Sequence, residues 1–251
     1  MQKKDKILNL ILPIITVACI VLIWVIGARA VNSEYILPSV DKTFIALTSL
    51  FTSTKFYFAF LLTLVRSIIA FAISFIIASL LAVLSVKNKH AERVILTIIS
   101  ILRALPTLAI ILLLLFWTNN QVAPVVVTLL VVLPTTYTHI KNSFDAIDKS
   151  VVQAGEVDGA NLKQLFFKVE LPQILPSIYS IIGSGISLNF KLMVAAEVIS
   201  ATVQSLGNLL NIANYNGQIA DMLAMVIVAI VFGMIIEFVF NKISKSSSEW
   251  R

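Results

Sequence analysis

Charged residues are scarce in this chain. Only 13% of its 251 residues are Asp, Glu, Lys or Arg, and 59% are hydrophobic, whereas a soluble domain carries roughly a quarter of its residues as charges. The apolar residues come in runs of about 20, the length at which a helix crosses the hydrocarbon core of a bilayer and satisfies its own backbone there. The composition therefore excludes a soluble domain and predicts an all-α, polytopic membrane protein, with residues 1–251 forming a single transmembrane domain.

Cysteine, histidine and glycine are too rare for several kinds of site. The one cysteine, Cys19, excludes an intrachain disulfide or a cysteine metal cluster, and His90 and His139 stand apart near the ends of apolar runs. None of the eight glycines belongs to a Gly-x-x-x-x-Gly-Lys-Ser/Thr phosphate-binding loop. We therefore expect no metal, no cofactor and no ATP hydrolysis by this chain. The residue types of a Ser/His/Asp set are present, but nothing else indicates catalysis.

The net charge of +6 does not indicate nucleic-acid binding. The basic residues form no patch; they lie at the ends of the apolar runs, as the positive-inside rule predicts for a membrane protein. Most of the 19 Lys and Arg fall at the N-terminus, in 86–93, in 140–174 and in the C-terminal tail, whereas 118–121 and 201–219 carry none. We therefore expect both termini to be cytoplasmic.

Hydrophobic windows predict six membrane spans. The first run, Ile7 to Ile26, follows three lysines and is longer than the 7–15 residues of a signal-peptide core, so we expect an uncleaved helix. The segment after Pro38 has helical spacing with Ser39 as N-cap, and it fits either an interfacial helix or a short packed connector. The predicted spans are about 7–28, 57–85, 94–117, 122–140, 175–200 and 220–241.

Four ionisable residues fall inside predicted spans. Because such groups are costly in lipid, Arg66, Arg103, Lys191 and Glu197 should face other helices or a watery path. They either line a translocation route or pair with each other and with backbone carbonyls to fix the helices. Pro106, close after Arg103, removes a backbone donor and should bend or break the third span.

The segment from about 141 to 174 is the main polar exception. It carries four lysines and five carboxylates together with apolar residues such as Leu165 and Val169, so it is neither a simple turn nor a disordered linker. Its helical periodicity is interrupted at Gly155 and Gly159, where glycine permits positive φ. We predict two short amphipathic helices that meet at a glycine, with Leu171-Pro172 and Leu175-Pro176 ending the loop and Pro176 in the first turn of the next span.

This loop resembles the EAA loop of the binding-protein-dependent ABC importer permeases, whose pattern is Glu-Ala-Ala, three residues, Gly, nine residues, Ile, one residue and Leu-Pro. The chain has the same spacing from Gln153-Ala154-Gly155 through Gly159 to Val169-Glu170-Leu171-Pro172, and it departs from the pattern at Gln153, Gly155 and Val169. Further segments are similar to the nitrate, sulfonate and taurine branch of this family: Ile36-Leu37-Pro38-Ser39, Thr63-Leu64-Val65-Arg66, Leu102-Arg103-Ala104-Leu105-Pro106, Ala195-Ala196-Glu197 and the outer loop at Leu206-Gly207.

The resemblance implies a permease of the bacterial plasma membrane that works with other proteins. A separate ATPase pair would bind the loop, an extracytoplasmic solute-binding protein would deliver the substrate, and a second copy of the chain would complete the pathway. The substrate would be a small solute, either a sulfonate-, taurine- or nitrate-like anion or a thiamine-precursor-like molecule. The implied ATPase-docking residues are Ala154, Gly155, Gly159, Ala160, Leu171 and Pro172, to which the apolar face of the loop adds Leu162 and Phe166.

Two other classes of membrane protein fit this sequence less well. An ion-gradient-driven secondary transporter would show an internal repeat with broken helices in both halves, and the sequence contains no convincing repeat. A membrane-embedded enzyme would cluster polar catalytic residues at one membrane face, whereas the ionisable residues within the predicted spans are scattered.

Overall fold

A computed structural model describes the backbone of residues 2–248 and the side chains of residues 11–247. Some of the basic residues that support the predicted orientation lie outside this part: the side chains of Lys3, Lys4 and Lys6, and all of Arg251. No strand occurs within residues 2–248. The eleven α-helices there are α1 Gln2–Val31, α2 Val40–Leu50, α3 Thr54–Lys87, α4 Lys89–Ala104, α5 Thr107–Trp117, α6 Ala123–Asp145, α7 Lys149–Val157, α8 Leu162–Leu165, α9 Leu171–Ser200, α10 Leu206–Tyr215 and α11 Ile219–Ser248.

The prediction of an all-α membrane protein is confirmed. Within the described residues, α1, α3, α6, α11 and the helical run 162–200 are long and apolar enough to cross a membrane. The count reaches six if α4 and α5 together form one span, bent by 93°. The bend lies at Leu105 and Pro106, as predicted from the proline. The Leu105 backbone is extended, and Pro106 is the N-cap residue of α5.

The prediction for the fifth span was wrong at its start. We expected Leu171-Pro172 to end the loop and a span to begin near 175, but α8 continues through a π-helical turn, Phe166–Glu170, into α9. The Leu171 amide donates to the Phe166 carbonyl, five residues back. This wider turn precedes Pro172, which has no amide hydrogen of its own to donate, so a continuous helical run of 39 residues leads from the loop into the membrane.

Two further boundaries differ from the prediction. Pro172, rather than Pro176, occupies the first turn of the helix, and Pro176 lies in its interior. The connection 201–219, predicted as a loop, contains α10. Its residues offer little local signal for a helix, since the segment is short and carries Gly207 and several asparagines.

The chain divides into two compact units. The larger comprises residues 58–208 and 229–251, and in it α6 packs along α9, with α4 and α5 against α6. Its core includes Ala78 and Ala82 of α3, Ile95 and Ile99 of α4, and Tyr137 of α6. The buried hydroxyl of Tyr137 is hydrogen-bonded to the Ser85 hydroxyl at 2.8 Å.

The smaller unit comprises residues 1–57 and 209–228. Within it, the Trp24 indole nitrogen donates to the Pro38 carbonyl at 3.0 Å. The predicted helix after Pro38 is confirmed as α2, with the Ser39 hydroxyl accepting from the Lys42 amide. Thr43, Ala46 and Leu50 of α2 are buried, whereas Phe44 and Ile45 are exposed, so α2 presents apolar side chains outward.

Candidate functional site

The two predicted short helices of the loop meet at Gly159. The α7 helix ends in a Schellman motif: the Gly159 amide donates to the Glu156 carbonyl, and the Ala160 amide donates to the Gly155 carbonyl, both at 3.0 Å. This closure places Gly159 at φ +80°, a conformation in which any residue with a side chain is strained. A Cβ at this position would meet no atom within 4 Å, so backbone conformation alone demands the glycine.

Side-chain caps fix both helices of the loop. Asp148 caps α7 by accepting from the Ser150 hydroxyl and amide, and these bonds lower the pKa of Asp148 below its ordinary value. Asn161 and Gln164 form a capping box at α8, with both bonds at 2.9 Å. The Gln173 side chain accepts from the Asp148 amide at 2.9 Å, which ties the start of α7 to α9. The segment is therefore an ordered structural element.

The tip of the segment exposes apolar side chains. Leu162 and Val157, on either side of the Gly159 turn, are 85% and 87% exposed, and α7 buries none of its nine residues. Sequence reasoning selected Leu162 but missed Val157. The signal that could have identified it is an apolar side chain two residues before Gly159, the glycine at which the two short helices were predicted to meet.

The predicted docking residues divide into an outer and an inner group. Ala154, Gly159, Leu162 and Pro172 are exposed, whereas Gly155, Ala160, Phe166 and Leu171 are half-buried. The prediction that Gly155 interrupts a helix was wrong: α7 runs through it. A Cβ on Gly155 would lie 2.8 Å from Leu165 Cδ2, so Gly155 packs inside the loop and not at its surface.

A cavity of about 360 Å³ lies behind the tip, between the loop and the ends of α3 and α6. Phe144, Val152 and Phe166 give it an apolar lining. Near the end of α6, the Lys141 ammonium bonds the Glu92 carboxylate of α4 at 3.1 Å and the Asp145 carboxylate at 2.6 Å. These ion pairs fix the end of α6 from which the loop begins.

Two of the four intramembrane charges meet in a buried network. The Glu197 carboxylate, whose side chain is fully buried, accepts from the Arg66 guanidinium at 3.1 Å, from the Thr63 hydroxyl at 2.7 Å and from the Gly207 amide at 3.4 Å. The Thr63 hydroxyl also accepts from the Leu206 amide at 2.9 Å. A Cβ on Gly207 would lie 2.5 Å from Glu197 Cβ and 2.6 Å from the Val198 amide nitrogen, so only glycine allows this close approach.

The network extends to the connection between α5 and α6. The Arg66 guanidinium donates to the Gln121 side chain at 2.6 Å, and the Gln121 amide in turn donates to the Val203 carbonyl at 3.3 Å. The Thr202 hydroxyl donates to the Asn120 carbonyl at 2.7 Å. Arg66 and Glu197 therefore join α3, the α5–α6 connection and the end of α9.

Arg103 and Lys191 contact other partners. The exposed Arg103 donates to the Pro134 carbonyl at 3.3 Å and to the Thr138 hydroxyl, both on α6. The Lys191 ammonium lies 3.8 Å from the Glu237 carboxylate of α11, and these side chains are 51% and 41% exposed. Glu237 was not selected from the sequence, because nothing local marks a residue 46 positions away as a partner of Lys191. In residues 11–247 no group of three or more His, Cys, Asp or Glu is placed to hold a metal ion.

Known proteins share this architecture. Residues 74–247 match the family described as binding-protein-dependent transport system inner membrane component. The formylaminopyrimidine transport permease protein ThiX of Halalkalibacterium halodurans is 28% identical over 170 residues, which span 66% of this chain and 66% of that protein. SsuC of Bacillus subtilis, named for aliphatic sulfonates transport, is 22% identical over 245 residues, 97% of this chain and 87% of that protein.

A solved structure gives the same result for the fold. The inward-facing MetNI methionine ABC transporter superposes with a TM-score of 0.65 at 19% identity, covering 74% of this chain and 93% of that chain. The family match covers more than half of the sequence and includes the loop, α9 and α11. The chain therefore belongs to the family of binding-protein-dependent transport system inner membrane components, and it is an ABC importer permease.

Proposed function

We propose that this permease moves a small solute across the bacterial cell membrane and takes its driving force from a separate ATPase, which binds the cytoplasmic segment 141–174. We call this segment the coupling segment. The observation that carries the proposal is the Gly159 turn, on either side of which Val157 and Leu162 are exposed on an ordered element with capped helices. Large apolar side chains exposed together on such an element are typical of a protein-binding surface.

The connection of the coupling segment to α9 supports a mechanical role. The helical run 162–200 carries α8 through the π-helical turn into a membrane-spanning helix, so a displacement at Leu162 reaches α9 without passing through a flexible loop. The Gln173 bond to the Asp148 amide moves α7 with it. Closure of ATPase subunits beneath the permease would therefore shift α9 directly and alternate the access of the solute pathway.

The proposal includes two further partners and an orientation in the membrane, all of which the family membership supports. An extracytoplasmic solute-binding protein delivers the solute, a second copy of the chain completes the pathway, and both termini lie in the cytoplasm. The names of ThiX and SsuC refer to a formylaminopyrimidine and to aliphatic sulfonates, and they support a small polar solute of the thiamine-precursor or sulfonate type.

The four intramembrane charges have different roles in this proposal. Arg66 and Glu197 hold helices together, because every oxygen of the buried carboxylate has a donor within the protein. Arg103 and Lys191 retain exposed surface and are the candidates for the solute pathway. The pathway then runs past the exposed sides of α4, α6 and α9.

The substitution Gly159→Arg tests the docking role. It strains the turn and adds a bulky cation beside Val157 and Leu162, so we expect the variant to insert into the membrane at normal amounts but to lose co-purification of the ATPase. The matched control is Gly217→Arg, the same substitution at another glycine with positive φ, outside the coupling segment, which should co-purify normally. Retention of both the ATPase and transport by Gly159→Arg would show that the coupling segment does not dock the ATPase.

A further inference from the structure

An ion pair on the exposed side of α9 and α11 points to a solute subsite. Lys191 lies about 13 Å from the end of α9 at Ser200, and Glu237 lies about 6 Å before residue 241, the predicted end of the last span, at about 1.5 Å per helical residue. Lys191 is therefore well inside its span and Glu237 lies within the last turn of its own, and both side chains are about half exposed. Charges at this depth face water or protein, because lipid cannot solvate them.

Lys191 and Glu237 interact only weakly with each other. The distance of 3.8 Å between the Lys191 ammonium and the Glu237 carboxylate is longer than a hydrogen bond. By contrast, Arg66 and Glu197 bond at 3.1 Å in a buried network, and Arg103 donates to two oxygens of α6. Lys191 and Glu237 thus keep hydrogen-bonding capacity that a ligand can use.

A second observation lies one helical turn away. The Ser187 hydroxyl is fully buried and has no hydrogen-bond partner among the described residues. It borders the same small space as the lysine: a Cβ on Gly233 would lie 2.8 Å from Ser187 Oγ, 3.2 Å from Lys191 Cε and 3.7 Å from Lys191 Nζ. Glycine at 233 therefore leaves an unused hydroxyl close to the ammonium, where it can accept a hydrogen bond when the ammonium turns from Glu237.

The charge of the subsite selects a class of ligand. An anion at Lys191 would also approach the Glu237 carboxylate and be repelled by it, and a cation at Glu237 would be repelled by Lys191. A solute that carries an acidic group and an amine a few ångströms apart satisfies both residues. Leu188 and Ala195 share the exposed face of α9 with Lys191 and provide contact for the short apolar part of such a solute.

We propose that Lys191 and Glu237, with Ser187 behind them, form a subsite for a zwitterionic solute, such as an amino acid or an aminosulfonate, on the transport pathway. Lys191 binds the carboxylate or sulfonate, Glu237 binds the ammonium, and Ser187 supplies the lysine with an alternative acceptor. This inference rests on the proposed function and narrows its substrate class from a small polar solute to a zwitterion.

The test is equilibrium binding to the purified permease–ATPase complex, without the external binding protein, using four probes of similar size. Taurine and β-alanine carry both charges, isethionate carries only the anion, and ethanolamine carries only the cation. We expect each zwitterion to bind about tenfold more tightly than either singly charged probe, because each loses one charge-assisted hydrogen bond.

Substitutions at the subsite should redirect this preference. Glu237→Gln should weaken taurine and strengthen isethionate, Lys191→Gln should weaken taurine and strengthen ethanolamine, and the double exchange Lys191→Glu with Glu237→Lys should restore the preference for taurine. The control Glu34→Gln, which breaks a 3.2 Å ion pair with Lys42 in the smaller unit, should leave all four affinities unchanged.

Three results would overturn the subsite: equal binding of isethionate and taurine, no binding of any probe, or the same response of both single variants to all probes. ATPase co-purification and ATP-driven uptake are measured on the same preparations. If co-purification and uptake are normal but the probe affinities do not depend on probe charge as predicted, the subsite is wrong and the proposed function stands. If the unsubstituted permease does not co-purify with the ATPase, or shows no ATP-driven uptake, the proposed function itself fails.

Discussion

Replacing Arg66 by Gln removes the charge partner of a fully buried carboxylate. Glu197 would keep its bonds from the Thr63 hydroxyl and the Gly207 amide but lose its cation. Breaking a buried ion pair from one side costs about 3–5 kcal/mol. The Arg66 side chain is 17% exposed, and Gln can still reach some of the same partners, so we expect the lower end of this range, about 3 kcal/mol.

The assay is thermal unfolding of the detergent-purified permease, together with its amount in the membrane. We expect Arg66→Gln to lower both, and Arg66→Gln with Glu197→Gln to recover most of the loss, because no charge then remains buried. Arg103→Gln is the matched control: its partners are a carbonyl and a hydroxyl, so its loss should be about 1 kcal/mol. Normal stability of Arg66→Gln with abolished uptake would refute this reasoning and assign Arg66 to the solute.

Two further predictions concern glycines. Gly207→Ala places a Cβ against the backbone of Glu197 and Val198 and should destabilise the permease by about 1–3 kcal/mol. Thermal unfolding measures this loss, and an unchanged unfolding temperature would show that the close approach is not required. Gly159→Ala forces alanine into φ +80° at a cost of about 1–2 kcal/mol, and Gly159→Asn should cost less because Asn tolerates this region. The rate of proteolytic cleavage within the coupling segment measures both effects. Equal cleavage rates for the wild type and both variants would contradict the strained turn.

Local sequence chemistry predicted the features that depend on neighbouring residues. Pro106 marks the break between α4 and α5 because proline lacks the amide hydrogen that a continuous helix needs. Gly159 marks the turn of the coupling segment because a Schellman motif needs positive φ. Ser39 marks the start of α2 because its hydroxyl caps the first turn.

Features that depend on distant residues were not predictable in this way. Glu197 and Arg66 are 131 positions apart, and their pairing depends on the packing of α3 against α9. The position of Gly207 against Glu197 likewise follows from the turn after Ser200, where Ala201 adopts a left-handed conformation without a glycine to announce it. The prediction that Leu171-Pro172 ends the loop was wrong, because the π-helical turn before Pro172 accommodates the proline within a continuous helical run.

The most direct test of the account is solute uptake into vesicles that contain the permease, its ATPase and the external binding protein. The account predicts uptake that requires ATP, persists when all ion gradients are collapsed, and is abolished by Gly159→Arg. Uptake driven by an ion gradient in the absence of ATP would contradict it and would identify a secondary transporter.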